Sequence, residues 1–126
     1  MSLSNTYETT TLTWLFTASA ATRPTAWYIA LFTVAPTDST SGTEVTGGSY
    51  ARQAVTMSVT GDTASNTATV EWPAATASWG TVVAAAIMDA STGGNIISYG
   101  TLTASKTVSS GDVFRFPAGD FDVTLN

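Results

Sequence analysis

The sequence predicts a mainly β fold, an antiparallel β-sandwich of jelly-roll type with a short N-terminal helix, as one domain over residues 1–126. Three observations carry this. From Trp27 onward, short runs rich in Val, Ile, Thr and aromatic residues recur at close spacing. Clusters of Gly, Pro, Asp and Ser separate them, with no long helical pattern between. The length of 126 residues suits one core, since a chain of this mass folds to roughly 6,300 Å² of surface from about 18,900 Å² unfolded.

Taken in order, residues 1–22 form the helical segment. Leu3, Tyr7, Leu12, Leu15 and Phe16 fall near one face at helical spacing, and Glu8 lies early, where it complements the helix dipole. Thr9, Thr10, Thr11 and Thr13 are poor helix formers, Trp14 falls outside the apolar stripe, and the approach to Pro24 closes the segment. The body, residues 27–126, opens with residues 27–34, an unbroken aromatic and β-branched run expected at the centre of a sheet. Residues 36–42 and 44–48 read as turns. Further strands are expected at 50–59, 67–72, 81–89, 95–102, 113–116 and 121–125. The Asp89 to Gly94 turn makes a hairpin of residues 82–88 and 96–102, and residues 117–120 are expected to join the last two strands in the same way.

Composition excludes much. The chain has no His and no Cys, which removes His/Cys zinc sites, Ser-His-Asp and Cys-His nucleophiles, thiol redox pairs and disulfides. No catalytic residue, metal ligand or cofactor is expected. Charged residues are 10% of the chain, against about 25% in ordinary domains, and 25 Thr and 14 Ser supply most of the polarity. Such a surface suits a protein packed against copies of itself or a neighbour, because a hydroxyl is desolvated more cheaply than an ammonium. A net charge of −5 and four scattered cations argue against nucleic acid. No run of apolar residues is long enough to span a bilayer, so no membrane insertion is expected. The first residues lack a signal-peptide pattern, so the chain reads as made in a cytoplasm.

Each candidate site has a plainer reading beside it. Trp14, Trp27, Trp72 and Trp79 could stack on sugar rings, but Trp27 sits in the most hydrophobic run and Trp72 and Trp79 flank the 73–78 turn, which favours packing in a core or interface. Asp120 and Asp122 lie two apart, with Arg115 in reach across the turn; a salt bridge is favoured over acid–base chemistry or a calcium site. Asp38, Glu44 and Asp62 receive no chemistry. Arg52, one of four cations, is expected to pair with an acid or with backbone carbonyls across a strand or subunit boundary. Leu3, Tyr7, Leu12, Trp14, Leu15 and Phe16, in a segment too weak to hold a helix alone, are the candidate docking residues together with Arg52.

The order of several blocks carries a resemblance: residues 28–33, then Pro36, then Gly42-Thr43-Glu44-Val45-Thr46-Gly47-Gly48-Ser49-Tyr50-Ala51-Arg52-Gln53, then residues 64–68, 79–82, 89–95 and 110–112 with Ala118-Gly119. In these the chain resembles a family of small bacteriophage structural proteins, labelled tail fibre or virion decoration proteins. Asp122 in the last strand and Met88 in the hairpin are mild departures. The resemblance implies a non-catalytic virion component that binds capsid or tail proteins and brings no catalytic residues with it. Decoration proteins clamp neighbouring shell subunits, often at threefold sites, so a homotrimer is the expected state. The alternative is a receptor-binding module that recognises cell-surface glycan.

Overall fold

The computed structural model describes residues 2–125; Met1 and Asn126, the outermost residues of the expected domain, lie outside them. In chain order the elements are β1 (Ser2–Leu3), α1 (Asn5–Phe16), β2 (Tyr28–Val34), β3 (Thr43–Glu44), β4 (Gln53–Ala54), β5 (Met57–Thr60), β6 (Thr63–Asn66), β7 (Val70–Glu71), β8 (Gly80–Met88), β9 (Ile96–Val108), β10 (Arg115–Phe116) and β11 (Asp122–Thr124).

The main sheet runs β1-β9-β8-β2-β3, with β4 also on β2, and every pairing is antiparallel. A three-stranded sheet, β11-β6-β5, and a two-stranded one, β10-β7, supply the facing layer. The fold is the expected antiparallel sandwich with one short N-terminal helix. Successive residues of a strand face opposite sides, so β2 and β8 divide cleanly. Ile29, Leu31, Ala85 and Ile87 join Trp72, Phe114 and Phe121 in the inner core, while Ala30, Phe32, Ala84, Ala86 and Met88 form a second cluster on the outer face. Val82 lies in the inner core despite its even number because the register shifts between Val82 and Ala84, as a bulge allows.

Trp72, Phe114, Phe116 and Phe121 pack edge to face with centroids 5.2–5.9 Å apart, filling the inner core. On the outer face small Ala side chains let residues 35–42 lie close. There the Tyr99 hydroxyl donates to the Asp38 carboxylate, and Asn5 Nδ2 donates to the Asp38 carbonyl at 3.2 Å.

Several boundaries differ from expectation for reasons visible in the chain. The 50–59 run is two strands, because the chain changes sheets: β4 pairs with β2, then Val55 N–H bonds the Trp27 carbonyl at 3.0 Å and β5 joins β6. Residues 117–120 do not make a hairpin; β10 pairs with β7 and β11 with β6. The buried Asn66 imposes this. Its Nδ2 donates to the Pro117 carbonyl at 3.0 Å, its Oδ1 accepts Phe121 N–H at 2.9 Å, and its carbonyl accepts Gly119 N–H at 2.9 Å. The turn's polar groups are thereby satisfied by one side chain and its backbone, leaving the two strands free to join different partners. Nor does Arg115 meet Asp120 or Asp122: it faces Glu71 at 3.9 Å in an exposed pair, and Asp122 accepts from Ser65.

Candidate docking site

The helical segment is shorter than expected and divides its apolar residues. Leu3 belongs to β1, opposite Ser98. Ser4 caps α1: its hydroxyl accepts Tyr7 N–H at 3.4 Å and donates to the Ile96 carbonyl at 2.5 Å, while its N–H bonds the Ile97 carbonyl at 2.9 Å. The helix stops at Thr17, well before Pro24, where the Thr17 hydroxyl and N–H both take the Thr13 carbonyl.

At about 100° per residue, Tyr7, Thr10, Thr11 and Trp14 share one side, and this side borders the extended segment 21–24. Leu12, Leu15 and Phe16 fall on another, so the single stripe expected from Leu3 to Phe16 does not form. No residue of α1 is buried. Leu12 is 57% exposed, Trp14 60%, Leu15 57% and Phe16 75%. The surface of 7019 Å² correspondingly exceeds the roughly 6,300 Å² of a compact chain of this mass.

A polar latch orients the helix instead. The Tyr7 hydroxyl donates to Asp89 Oδ2 at 2.8 Å, and Asp89 also accepts Asn95 N–H at 2.7 Å. Gly94, at φ +71°, packs so closely on Asp89 and Ala90 that a side chain there would collide with both. Burial and the Asp89 carboxylate push the Tyr7 phenol up to about 12. Burial pushes the Asp89 carboxyl up, but hydrogen bonds from Asn95 and Tyr7 outweigh it and leave the group below its ordinary value.

Arg52 meets both kinds of partner expected of it, inside one chain. Its Nε and Nη2 hold Glu44 Oε2 and Oε1 at 2.9 and 2.8 Å, and Nη1 donates to the Ala90 and Gly93 carbonyls at 2.8 Å each. Tyr50 completes the group by donating to Glu44 Oε2 at 2.7 Å while accepting Leu31 N–H at 3.0 Å. Sequence reasoning gave Glu44 and Tyr50 no role; the signal lay in the scarcity of cations, which makes any acid close to Arg52 a partner. Trp72 and Trp79, two of the sugar-stacking candidates, are 1% and 4% exposed and present no ring face to solvent. Trp79 instead donates to the Gly48 carbonyl at 2.9 Å and packs edge to face on Tyr50. Among the described residues no three acidic side chains converge on a point that could hold a metal, and no helix is long and apolar enough to cross a membrane.

The arrangement is thus a β body carrying a latched helix whose apolar side of Leu12, Leu15 and Phe16 faces water. A search of curated proteins finds no match. A family model described as podophage GP4 fiber I protein gp80 matches residues 2–124, nearly the whole chain, and so the chain belongs to this family of phage fibre proteins, structural components of the virion.

Proposed function

We propose that the chain is a non-enzymatic, homo-oligomeric fibre or decoration protein, working as one domain and as a trimer, and that α1 is the element that docks it on capsid or tail proteins. The exposed side of α1 carries this reading. Short isolated helices are marginal in water, and this one gains little from burial on its own body, so its apolar residues are maintained for a surface elsewhere. Docking removes them from water at about 25 cal/mol per Å² of apolar area, less the freedom lost on association. The low charge of the surface supports the same reading. Arg52 serves as scaffold here, its donors already committed within the chain.

The glycan-recognition alternative keeps Trp14 and Trp27, 60% and 37% exposed, but not Trp72 and Trp79, which are core residues. It also keeps an open cleft of about 470 Å³ bordered by Asn5, Asp38, Thr40 and Asn95, with hydroxyls and carboxylates but no exposed ring among these four.

Sedimentation tests the assembly, and binding to particles that lack the protein tests the docking. The full chain is expected to exceed its 13.0 kDa mass at micromolar concentration and to bind; a variant without residues 1–20 is expected to keep its β signature and do neither. A full-length protein that stays at 13.0 kDa and does not bind would overturn the reading. Density of matching size on an intact particle would locate it on head or tail.

A further inference from the structure

Between the main sheet and the three-stranded sheet the sandwich is open on one side. The opening is a groove of about 400 Å³, walled by Ile87 and Ile97 from the main sheet, Met57 and Val59 from β5, and Val123 from β11, with Trp27 at its rim. Among the described residues no charged side chain and no residue of α1 lines it, and Val59 is 73% exposed. One chain therefore presents two unlike apolar surfaces, a convex stripe of Leu12, Leu15 and Phe16 and a concave groove. The bonds of Ser4 to Ile96 and Ile97 and of Tyr7 to Asp89 anchor α1 beside β9, where none of its residues enters the groove of its own chain.

Resting on the oligomeric reading above, we infer that the groove receives the α1 stripe of a second copy of this chain, in a head-to-tail contact. Charge selects this occupant. Copies with a net charge of −5 repel except through neutral patches, and residues 9–16 of α1 are as free of charge as the groove. Size agrees as well, because a groove of this volume is in the range that engulfs a compact apolar ligand of a few side chains. The stripe offers on the order of 300 Å², with large side chains burying up to about 150–250 Å² each, well below the roughly 800 Å² per partner of a stable pair. A single contact is weak, whereas a closed ring engages the stripe and the groove of every subunit at once and leaves the other side of α1, with Trp14 60% exposed, for capsid or tail proteins.

The chain has no cysteine, so the variants Leu12→Cys and Val59→Cys carry one thiol each. When they are mixed and oxidised, a disulfide between the two variants is expected as the main product. A Leu12→Cys homodimer as the main product would mean that α1 pairs with α1, and would overturn the inference. In a second measurement, Leu15→Asp and Val59→Asp, both at exposed positions, are each expected to sediment at 13.0 kDa with wild-type melting. Their equimolar mixture can make one stripe-to-groove contact per pair, and because a single contact is weak it is expected at twice that mass only at concentrations on the order of millimolar, where each variant alone stays monomeric. Two variants that do not pair even there would overturn the head-to-tail geometry. If Val59→Asp keeps the wild-type mass while Leu15→Asp does not, the groove is not the seat, yet docking through α1 stands. A wild-type protein that is itself monomeric removes the oligomeric reading and this inference together.

Discussion

Arg52 grips Glu44 through two parallel bonds, at 2.9 and 2.8 Å, and with its remaining nitrogen ties both to the carbonyls of Ala90 and Gly93. A single side chain thus joins β3, the approach to β4 and the turn between β8 and β9. Planar fork geometry is what makes this possible. Arg52→Ala is expected to cost about 3 kcal/mol, since it leaves a largely buried carboxylate and two carbonyls without their donor. Arg52→Lys should recover only part, because an ammonium cannot reproduce the fork. Urea denaturation of both variants, closed into a cycle with Glu44→Gln, measures the coupling; additive effects would show that the pair contributes little.

The same pair makes stability depend on acid. Burial pushes the Glu44 carboxyl up, but bonds from Arg52 and Tyr50 and the charge of Arg52 outweigh it, leaving the group below the ordinary 4.5. Asp89 is likewise below its ordinary 3.8. A carboxyl lowered in the folded state binds fewer protons than in the unfolded chain, so its stabilisation is full above the ordinary value and is lost as pH falls through the folded one. Melting temperature is therefore expected to be level above about pH 5 and to fall below pH 4. Glu44→Gln, already destabilised, should show a shallower decline.

How far the fold was legible follows from particular residues. Residues 27–34 announce a central strand because they are apolar on both faces, and the turn at Gly93-Gly94 announces the hairpin of residues 82–88 with 96–102. Asn66 was illegible. Its role depends on Pro117, Gly119 and Phe121, which meet it only after the sheets pair, and no local pattern encodes a contact some fifty residues distant. The change of sheet at Val55 was hidden for the same reason, since both halves of residues 50–59 have strand-like composition. At the docking site the residue types were readable but their division was not. The stripe was drawn through Leu3 and Tyr7, whereas a strand pairing captures the first and a bond to Asp89 the second.

Two buried tryptophans with opposite polar environments give a third prediction. The Trp79 indole N–H bonds the Gly48 carbonyl, whereas Trp72 Nε1 has no partner among the described residues. Replacement by Phe deletes comparable volume at both sites, but only at Trp79 does it also remove a made hydrogen bond, worth about 1 kcal/mol; at Trp72 it relieves a buried unpaired donor. Trp79→Phe is expected to be the more destabilising by about 2 kcal/mol, read from denaturation midpoints. Gly48→Ala should act on the same contact, because its Cβ would stand 2.7 Å from Trp79 Nε1 at φ +58°.

The last prediction concerns how α1 is released. Its own apolar side is not buried, so orientation rests on the Ser4 cap, the Asn5–Asp38 bond and the Tyr7–Asp89 bond, and breaking the last should loosen the helix without unfolding the body. A phenol raised from 10.0 to about 12 by burial and by the Asp89 carboxylate contributes a stabilisation that is complete below pH 10 and lost as pH rises through about 12. Tyr99, raised to about 12 by its hydrogen bond to Asp38 and by burial, holds residues 35–42 on the outer face in the same window, so alkali is expected to loosen both segments together. Tyr7→Phe separates them. At neutral pH it should speed amide hydrogen exchange in residues 5–16 by about tenfold, the effect of losing one bond of roughly 1.4 kcal/mol, while β2 and β8 keep wild-type protection. Uniform acceleration across the chain would mean that the latch supports the whole sandwich, and unchanged exchange in α1 would mean that the Ser4 cap and the Asn5–Asp38 bond hold the helix in place without it.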